Sequence, residues 1–248
     1  YFNDYYSINM KQLNFFNEQK NSIELKNIFQ NINRVEVIDI FNVSDNYHES
    51  KFINAFTIDK FLEKNTNSKH KIEIYNLLNL SYYLMLASNF FHCDWHYGNF
   101  LVNFNSKNEI ILYILDVGLV GKLDNIDHHN KLKVLLRTNL LKPDPINIIK
   151  FLSYVNLNKN ADVKNFIKES KVVVNNFNNH KDIKNYKLKL LKLIDNASKN
   201  ELKFPIVIFY MFQAIIFLNN HDEIIYDRIS AFSKSTGFYQ EIEKYLIH

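Results

Sequence analysis

One succession of residues limits what this chain can fold into. A long apolar stretch, about Lys69 to Asn89, runs straight into His92-Cys93-Asp94-Trp95-His96-Tyr97-Gly98-Asn99. Two short apolar runs follow, 100–104 and 110–115, separated by the polar turn "NSKNE", and then comes Asp116-Val117-Gly118. Ile72, Ile74, Leu77, Leu78, Leu80, Leu84 and Leu86 recur at helical spacing, which predicts a strongly amphipathic helix. The two runs with a polar turn between them predict a β-hairpin. Helix, loop, hairpin and Asp-x-Gly in this order bring the polar residues of the loop and of the post-hairpin turn to one end of the unit.

Other segments fill in around this centre. Residues 3–19 read as a helix. "RVEVIDIF" alternates like a strand, and "YHESKFINAF" can pair with it. Thr57 offers an N-cap to "IDKFLEK". Beyond Gly121 the pattern predicts helices near 126–141, 145–156, 161–177, 182–198, 204–219 and 222–245, with Pro143 and Pro145 at the first junction. The class expected is therefore α+β, with a mostly helical second half. Apolar residues make up 47% of the 248, enough for a real core. Phe204–Leu218 is the most apolar run, but it is 15 residues long and contains Gln213. A bilayer span takes about 18 or more apolar residues, so a buried core helix is expected.

Phosphoryl transfer needs a carboxylate to orient the attacking hydroxyl or water, and separate oxygen ligands to hold Mg²⁺ against phosphates. Asp94 and Asn99 have the five-residue offset of a D-x-x-x-x-N loop, and Asp116 with Gly118 supplies an Asp-x-Gly after the hairpin. Taken singly, Asp94 and Asp116 read as ordinary cap or turn carboxylates. Together with Asn99 and the flanking pattern they read as a site. Asp94 is the candidate for the nucleophile, Asn99 and Asp116 for the cation. His92, His96 and Cys93 crowd one loop without a fourth ligand, which argues against zinc. Cys93 is the single cysteine, with no argued base, and no disulfide is available within the chain. His128 and His129 are expected to face solvent at a helix start. Trp95 and Tyr97 are expected either to pack under the site or to shape access to it. Basic and acidic side chains number 30 and 26, a net +4 too small and too dispersed to argue for nucleic acid.

"FFHCDWHYGNFLV" resembles the F-x-H-A-D-x-H-x-G-N-x-L-V signature of the UbiB/ADCK atypical kinase family, and "ILDVGLVGKL" is similar to that family's L-D-F-G-M-V-G-R-L. The resemblance is sharp over about 90–123 and looser elsewhere, including "FPIVIFYMFQAIIFLNN". It implies a protein-kinase-like fold, with residues 1–66 as a partial N-lobe and hinge and 67–248 as a helical C-lobe. It implies ATP and Mg²⁺ as cofactors, Asp94 as the catalytic-loop residue, and Asn99 and Asp116 as metal ligands. His92, His96, Gly98 and Gly118 would support the loop and turn, with Gly98 allowing a backbone conformation that a side chain would hinder. By resemblance alone, a lipid or quinone-like small molecule, a membrane surface and a mitochondrial or membrane-associated location are implied.

The family's K-x-G-Q helix and strand lysine would lie upstream of Tyr1, so the chain reads as a fragment. Its E-x-D-Y-x-x-E segment aligns with 2–8, where Phe2 and Ile8 replace both glutamates. Three functions follow from these features. The first is a phosphotransferase or ATPase of the atypical kinase type. The second is a catalytically impaired pseudokinase or scaffold, favoured by the replaced glutamates. The third is a small-molecule phosphotransferase like the aminoglycoside and choline kinases, against which the Gly118-Leu119-Val120-Gly121 continuation argues.

Overall fold

The computed structural model describes Met10 and residues 14–141, 145–175, 183–218 and 232–247. The chain divides into two compact units, one of Tyr1–Lys122 with Glu223–His248, the other of Leu123–Asp222. The α+β character and the kinase-like arrangement of small sheets and helices are present.

In the first unit, α1 spans Phe15–Phe29. Asn14 caps it by accepting from the Asn17 amide at 3.2 Å, with Glu18 in the first turn and Lys26 in the last, both suited to the helix dipole. Of the helix expected over 3–19, Met10 is helical and residues 15–19 belong to α1, while residues 3–9 and 11–13 lie outside those described. The strand run expected from Arg34 is shared between two sheets. β1 (Val35–Val37) pairs in parallel with a later strand, while β2 (Ile40–Phe41) turns away to pair with β3 (Glu49–Ser50). Ser22 on α1 donates to the Ile38 carbonyl and Lys51 to that of Asp39, so the backbone between β1 and β2 leaves the first ladder with its carbonyls satisfied.

β4 (Phe56–Thr57) leads directly into α2 (Ile58–Lys64). Thr57 occupies the N-cap position but makes no side-chain capping bond. After α3 (Ser68–Ala87) come β5 (Phe91–His92), β6 (Phe100–Phe104), β7 (Ile110–Ile114) and β8 (Val120–Gly121). The main sheet has the order β1-β7-β6-β4, with β6 and β7 forming the expected hairpin in the register Phe100↔Ile114 to Phe104↔Ile110. Asn105 closes the hairpin by accepting from the Lys107 and Glu109 amides, and Asn108 takes the left-handed conformation at φ 59°. β5 and β8 pair antiparallel, so the two ends of the loop–hairpin segment meet.

α3 is not the amphipathic helix that its spacing suggests. It is buried nearly all round over Ile74–Ala87, with Asn76 and Ser81 inside along with the leucines, whereas Ile72 is only half-buried. It packs on β7 and on α9 (Phe238–Ile247). The helix expected over 222–245 is described only from residue 232, and it breaks at Gly237. There φ is +86° and an added Cβ would stand 2.9 Å from the Asn31 carbonyl oxygen, so the chain turns where only glycine fits.

The second unit contains α4 (Ile126–Leu141), α5 (Pro145–Tyr154), α6 (Val163–Asn175), α7 (Ile183–Lys199) and α8 (Ile206–Leu218). α8 is the expected core helix, burying Val207, Ile208, Met211, Phe212 and Leu218. Among the described residues no helix is long and apolar enough to cross a membrane. His128 and His129 are buried, against the expectation of solvent exposure. Leu132, Leu135 and Leu136 set the inner face of α4, and positions three and four residues before Leu132 share it. His128 stands edge-on to Tyr154 at 6.1 Å, while Ile126 takes the outer position.

Candidate functional site

The site is built in the first unit by the loop after β5, the turn after β7 and the side of α1. His92 is the inner brace. It is almost completely buried, and its two nitrogens serve two backbones. Nε2 lies 2.6 Å from the Asp116 carbonyl oxygen, and Nδ1 lies 3.2 Å from the Asp94 amide nitrogen. A carbonyl only accepts and an amide N–H only donates, so Nε2 carries the proton and Nδ1 offers its lone pair. That tautomer is neutral. Burial holds the imidazole below its ordinary pKa, outweighing the Asp116 backbone and the nearby carboxylates. One ring thereby fixes the backbone of the loop after β5 against the Asp-x-Gly turn.

His96 is the outer brace. Its Nδ1 accepts from the Gly98 amide at 3.0 Å, which leaves Nε2 to donate to Asp94 Oδ2 at 3.2 Å. The backbone of Gly98 is not left-handed, so the expected conformational role is not the reason for glycine. Steric room is: an added Cβ would stand 2.8 Å from His96 Cε1 and 3.0 Å from its Nδ1. Trp95 packs under the loop rather than lining its mouth. It is buried against Phe100, Tyr82 and His92, with ring centroids 4.5, 5.2 and 5.2 Å away.

Asn99 sits in a single 3₁₀ turn and is buried. Its Nδ2 donates to the Asp94 carbonyl at 2.8 Å and reaches Asp94 Oδ2 at 3.4 Å, so the loop closes on itself. The amide's acceptor, Oδ1, is left for another partner. The Asn99 carbonyl accepts from the Leu115 amide at 3.0 Å, which sets Asn99 beside the residue preceding Asp116. Asp116 caps its own turn, Oδ1 accepting from the Gly118 amide at 2.8 Å, and Oδ2 is left over. The bonds thus bring Asp94, Asn99 and Asp116 into one neighbourhood, with His92, His96, Gly98 and Gly118 each making a bond or contact that holds it. Cys93 is buried with its Sγ on the Phe91 carbonyl. Among the described residues, no three His, Cys, Asp or Glu side chains converge to hold a metal by themselves. The oxygens of Asn99 and Asp116 suit a hard cation that draws the rest of its shell from phosphate and water, as Mg²⁺ does.

Two residues of α1 belong to this neighbourhood and were not singled out in the sequence. Asn21 donates from its side chain to the Val117 carbonyl at 2.8 Å. Glu18, with a side chain 12% exposed, lies 3.4 Å from His48 Nδ1. Its carboxyl is pushed up to about 7, first by burial and then by the charge of Asp116. A signal for Glu18 was available. The alignment over 2–8 falls outside the described residues, but moving the E-x-D-Y-x-x-E pattern ten positions on sets it against Gln12-Leu13-Asn14-Phe15-Phe16-Asn17-Glu18. In that register the last glutamate is present.

A family model for the ABC1 atypical kinase-like domain matches residues 3–151, more than half of the chain. Residues 152–248 lie beyond that match. A protein named probable protein kinase UbiB, from Photobacterium profundum, is 29% identical over 140 residues. That alignment takes in 53% of this chain and 24% of the relative, so the chain spans about a quarter of the protein it matches. On the family match over 3–151, which includes the loop, the hairpin and the Asp-x-Gly turn, the chain belongs to the ABC1 atypical kinase-like domain family.

Proposed function

We propose that this chain provides the catalytic loop and cation ligands of an atypical kinase or ATPase that uses ATP and Mg²⁺. The observation that carries the reading is how the Asn99 amide is spent. Its nitrogen is committed to Asp94, which leaves its oxygen uncommitted, as Asp116 Oδ2 also is; the Leu115–Asn99 backbone bond ties the loop to the residue before Asp116. These two side-chain oxygens would be the protein's ligands to the cation. When bound, Mg²⁺ neutralises phosphate charge and orients the phosphates.

The remaining work falls to the chain's own residues. Both donors to the Asp94 carboxylate, His96 Nε2 and Asn99 Nδ2, converge on Oδ2. Oδ1 is the atom left to accept a proton from the attacking hydroxyl or water and to aim it. Hydrogen bonding to Oδ2 limits the rotation of the carboxylate, so the base is oriented before substrate arrives. Glu18 bears on the alternative of a pseudokinase, because the replaced glutamates were its main support and the displaced alignment restores one of them. The division into a partial N-lobe at 1–66 and a C-lobe at 67–248 belongs to this proposal. So does a lipid or quinone-like substrate at a membrane surface, implied by the resemblance.

The test is a thermal-shift titration of the chain with ATP, with and without Mg²⁺, on wild type and Asp116→Ala. A Mg²⁺-dependent rise in melting temperature in the wild type, abolished in the variant, is expected. An equal rise in both would remove Asp116 as a cation ligand.

A further inference from the structure

We infer that Asn21 is a positioning residue for the cation site, holding the Asp116-Val117-Gly118 turn in place from α1. The inference rests on the proposed assignment of Asp116 as a metal ligand. The turn has three anchors. His92 binds the Asp116 carbonyl at 2.6 Å, Asp116 Oδ1 takes the Gly118 amide at 2.8 Å, and Asn21 Nδ2 binds the Val117 carbonyl at 2.8 Å. The first comes from the end of β5 and the second lies within the turn. Asn21 is the anchor that comes from a helix 96 residues away in sequence.

The chemistry of the contact is specific. Val117 is fully buried, so its carbonyl has little access to water once the asparagine amide is gone. An aspartate at position 21 would set a carboxylate oxygen against a carbonyl oxygen, and a leucine would offer no donor. Either change lets the peptide plane between Val117 and Gly118 rotate, and the Gly118 N–H that fixes Asp116 Oδ1 belongs to that plane. Freed of this bond, the Asp116 carboxylate loses its set direction. α1 is itself tied down on both sides of Asn21. Gln19 and Ser22 donate to the carbonyls of Ile40 and Ile38, and Glu24 pairs with Lys122 just beyond the turn. The position of the helix is therefore transmitted to the metal ligand through one side chain.

The experiment uses the Mg²⁺ concentration at half-maximal thermal shift with ATP saturating, measured on Asn21→Asp, Asn21→Leu and Asn21→Gln. Residues that orient a metal ligand characteristically change affinity by 10- to 100-fold. The Asp and Leu variants are expected to need about ten-fold more Mg²⁺ or beyond. Asn21→Gln, which keeps the donor, is expected to lie nearer to wild type. A lower metal-free melting temperature with an unchanged Mg²⁺ midpoint would overturn the inference, since that is what a purely structural bond predicts. If both donor-less variants fail to fold, the wild type decides by NMR. The Asn21 side-chain amide resonances should move with added Mg²⁺·ATP and stay still in Asp116→Ala. Resonances that stay still in the wild type overturn it. Loss of Mg²⁺ dependence in Asp116→Ala together with wild-type midpoints in the Asn21 variants defeats this inference alone. Absence of any Mg²⁺ dependence in the wild type defeats the site assignment and this inference with it.

Discussion

His92 joins two backbones only in its neutral form. Adding a proton to Nδ1 would set N–H against the N–H of Asp94, so the charged ring loses one bond and gains a repulsion. Its pKa is lowered in the folded chain from 6.5 by burial. The unfolded chain therefore binds the proton first, and the stability owed to neutral His92 is complete above about pH 6.5 and is lost as pH falls below it. Denaturant midpoints measured from pH 8 to pH 5 should fall in the wild type, and this component should vanish in His92→Ala. The same variant should lose about 3 kcal/mol at pH 8, from two half-buried backbone groups left without a partner and a cavity in place of the buried ring. Gly98 makes the opposite prediction. The residue is exposed, so Gly98→Ala should change stability by less than about 1 kcal/mol. The methyl group would displace the His96 ring that holds Asp94 Oδ2. On the proposed reading of Asp94 as the base, ATP turnover should then drop by about ten-fold or more, since small misplacements of such a group are costly. A variant with normal turnover would remove His96 from the positioning of Asp94.

At the scale of elements, α1 is the part of the site that the sequence concealed. The loop after β5 and the hairpin were legible because their signals are local: Asp94 and Asn99 lie five residues apart, and Asn105 with Asn108 marks the turn between two apolar runs. The bond from Asn21 to Val117 crosses 96 residues and leaves no local trace. Glu18 went unmarked because an asparagine-rich stretch fits the glutamate pattern loosely in more than one place, at 2–8 and again at 12–18. The strand run after Arg34 was read as one strand, but alternation cannot report a change of partner between Val37 and Ile40. α1 also yields a pH prediction of opposite sign to that of His92. The Glu18 pKa is raised from 4.5 to about 7, so the folded chain holds this proton more tightly than the unfolded chain. Its contribution is fully present below about pH 4.5 and is lost as pH rises through 7. Glu18→Gln should therefore gain stability relative to wild type between pH 5 and pH 8. Parallel pH profiles for the two proteins would show that neither burial nor Asp116 raises the Glu18 carboxyl.

For the whole molecule, the chain order of the units decides what the site depends on. The unit holding Asp94, Asn99 and Asp116 runs to Lys122 and resumes only at Glu223. Its last helix, α9, covers α3, the helix that delivers the chain to β5 and the loop of Asp94 and Asn99. Phe238 is fully buried edge-on to Phe29 of α1 at 6.3 Å, and Asn31 donates to Glu241 at 2.8 Å. Gly237 makes this docking feasible by letting the backbone pass close to the Asn31 carbonyl. Residues about 120 positions beyond the turn at Asp116 thus hold both helices that frame the site. Phe238→Ala should cost about 3–5 kcal/mol, the range for a large buried aromatic, read as a shift in denaturant midpoint. The bonds that set Asn99 and Asp116 come from the loop, the turn and α1 rather than from α9. The Mg²⁺ midpoint of the folded variant should therefore stay within about two-fold of wild type, the behaviour of distant, independent positions. Near-wild-type stability in Phe238→Ala would mean that the C-terminal helix is an appendage, and that the site stands on the residues before Lys122 alone.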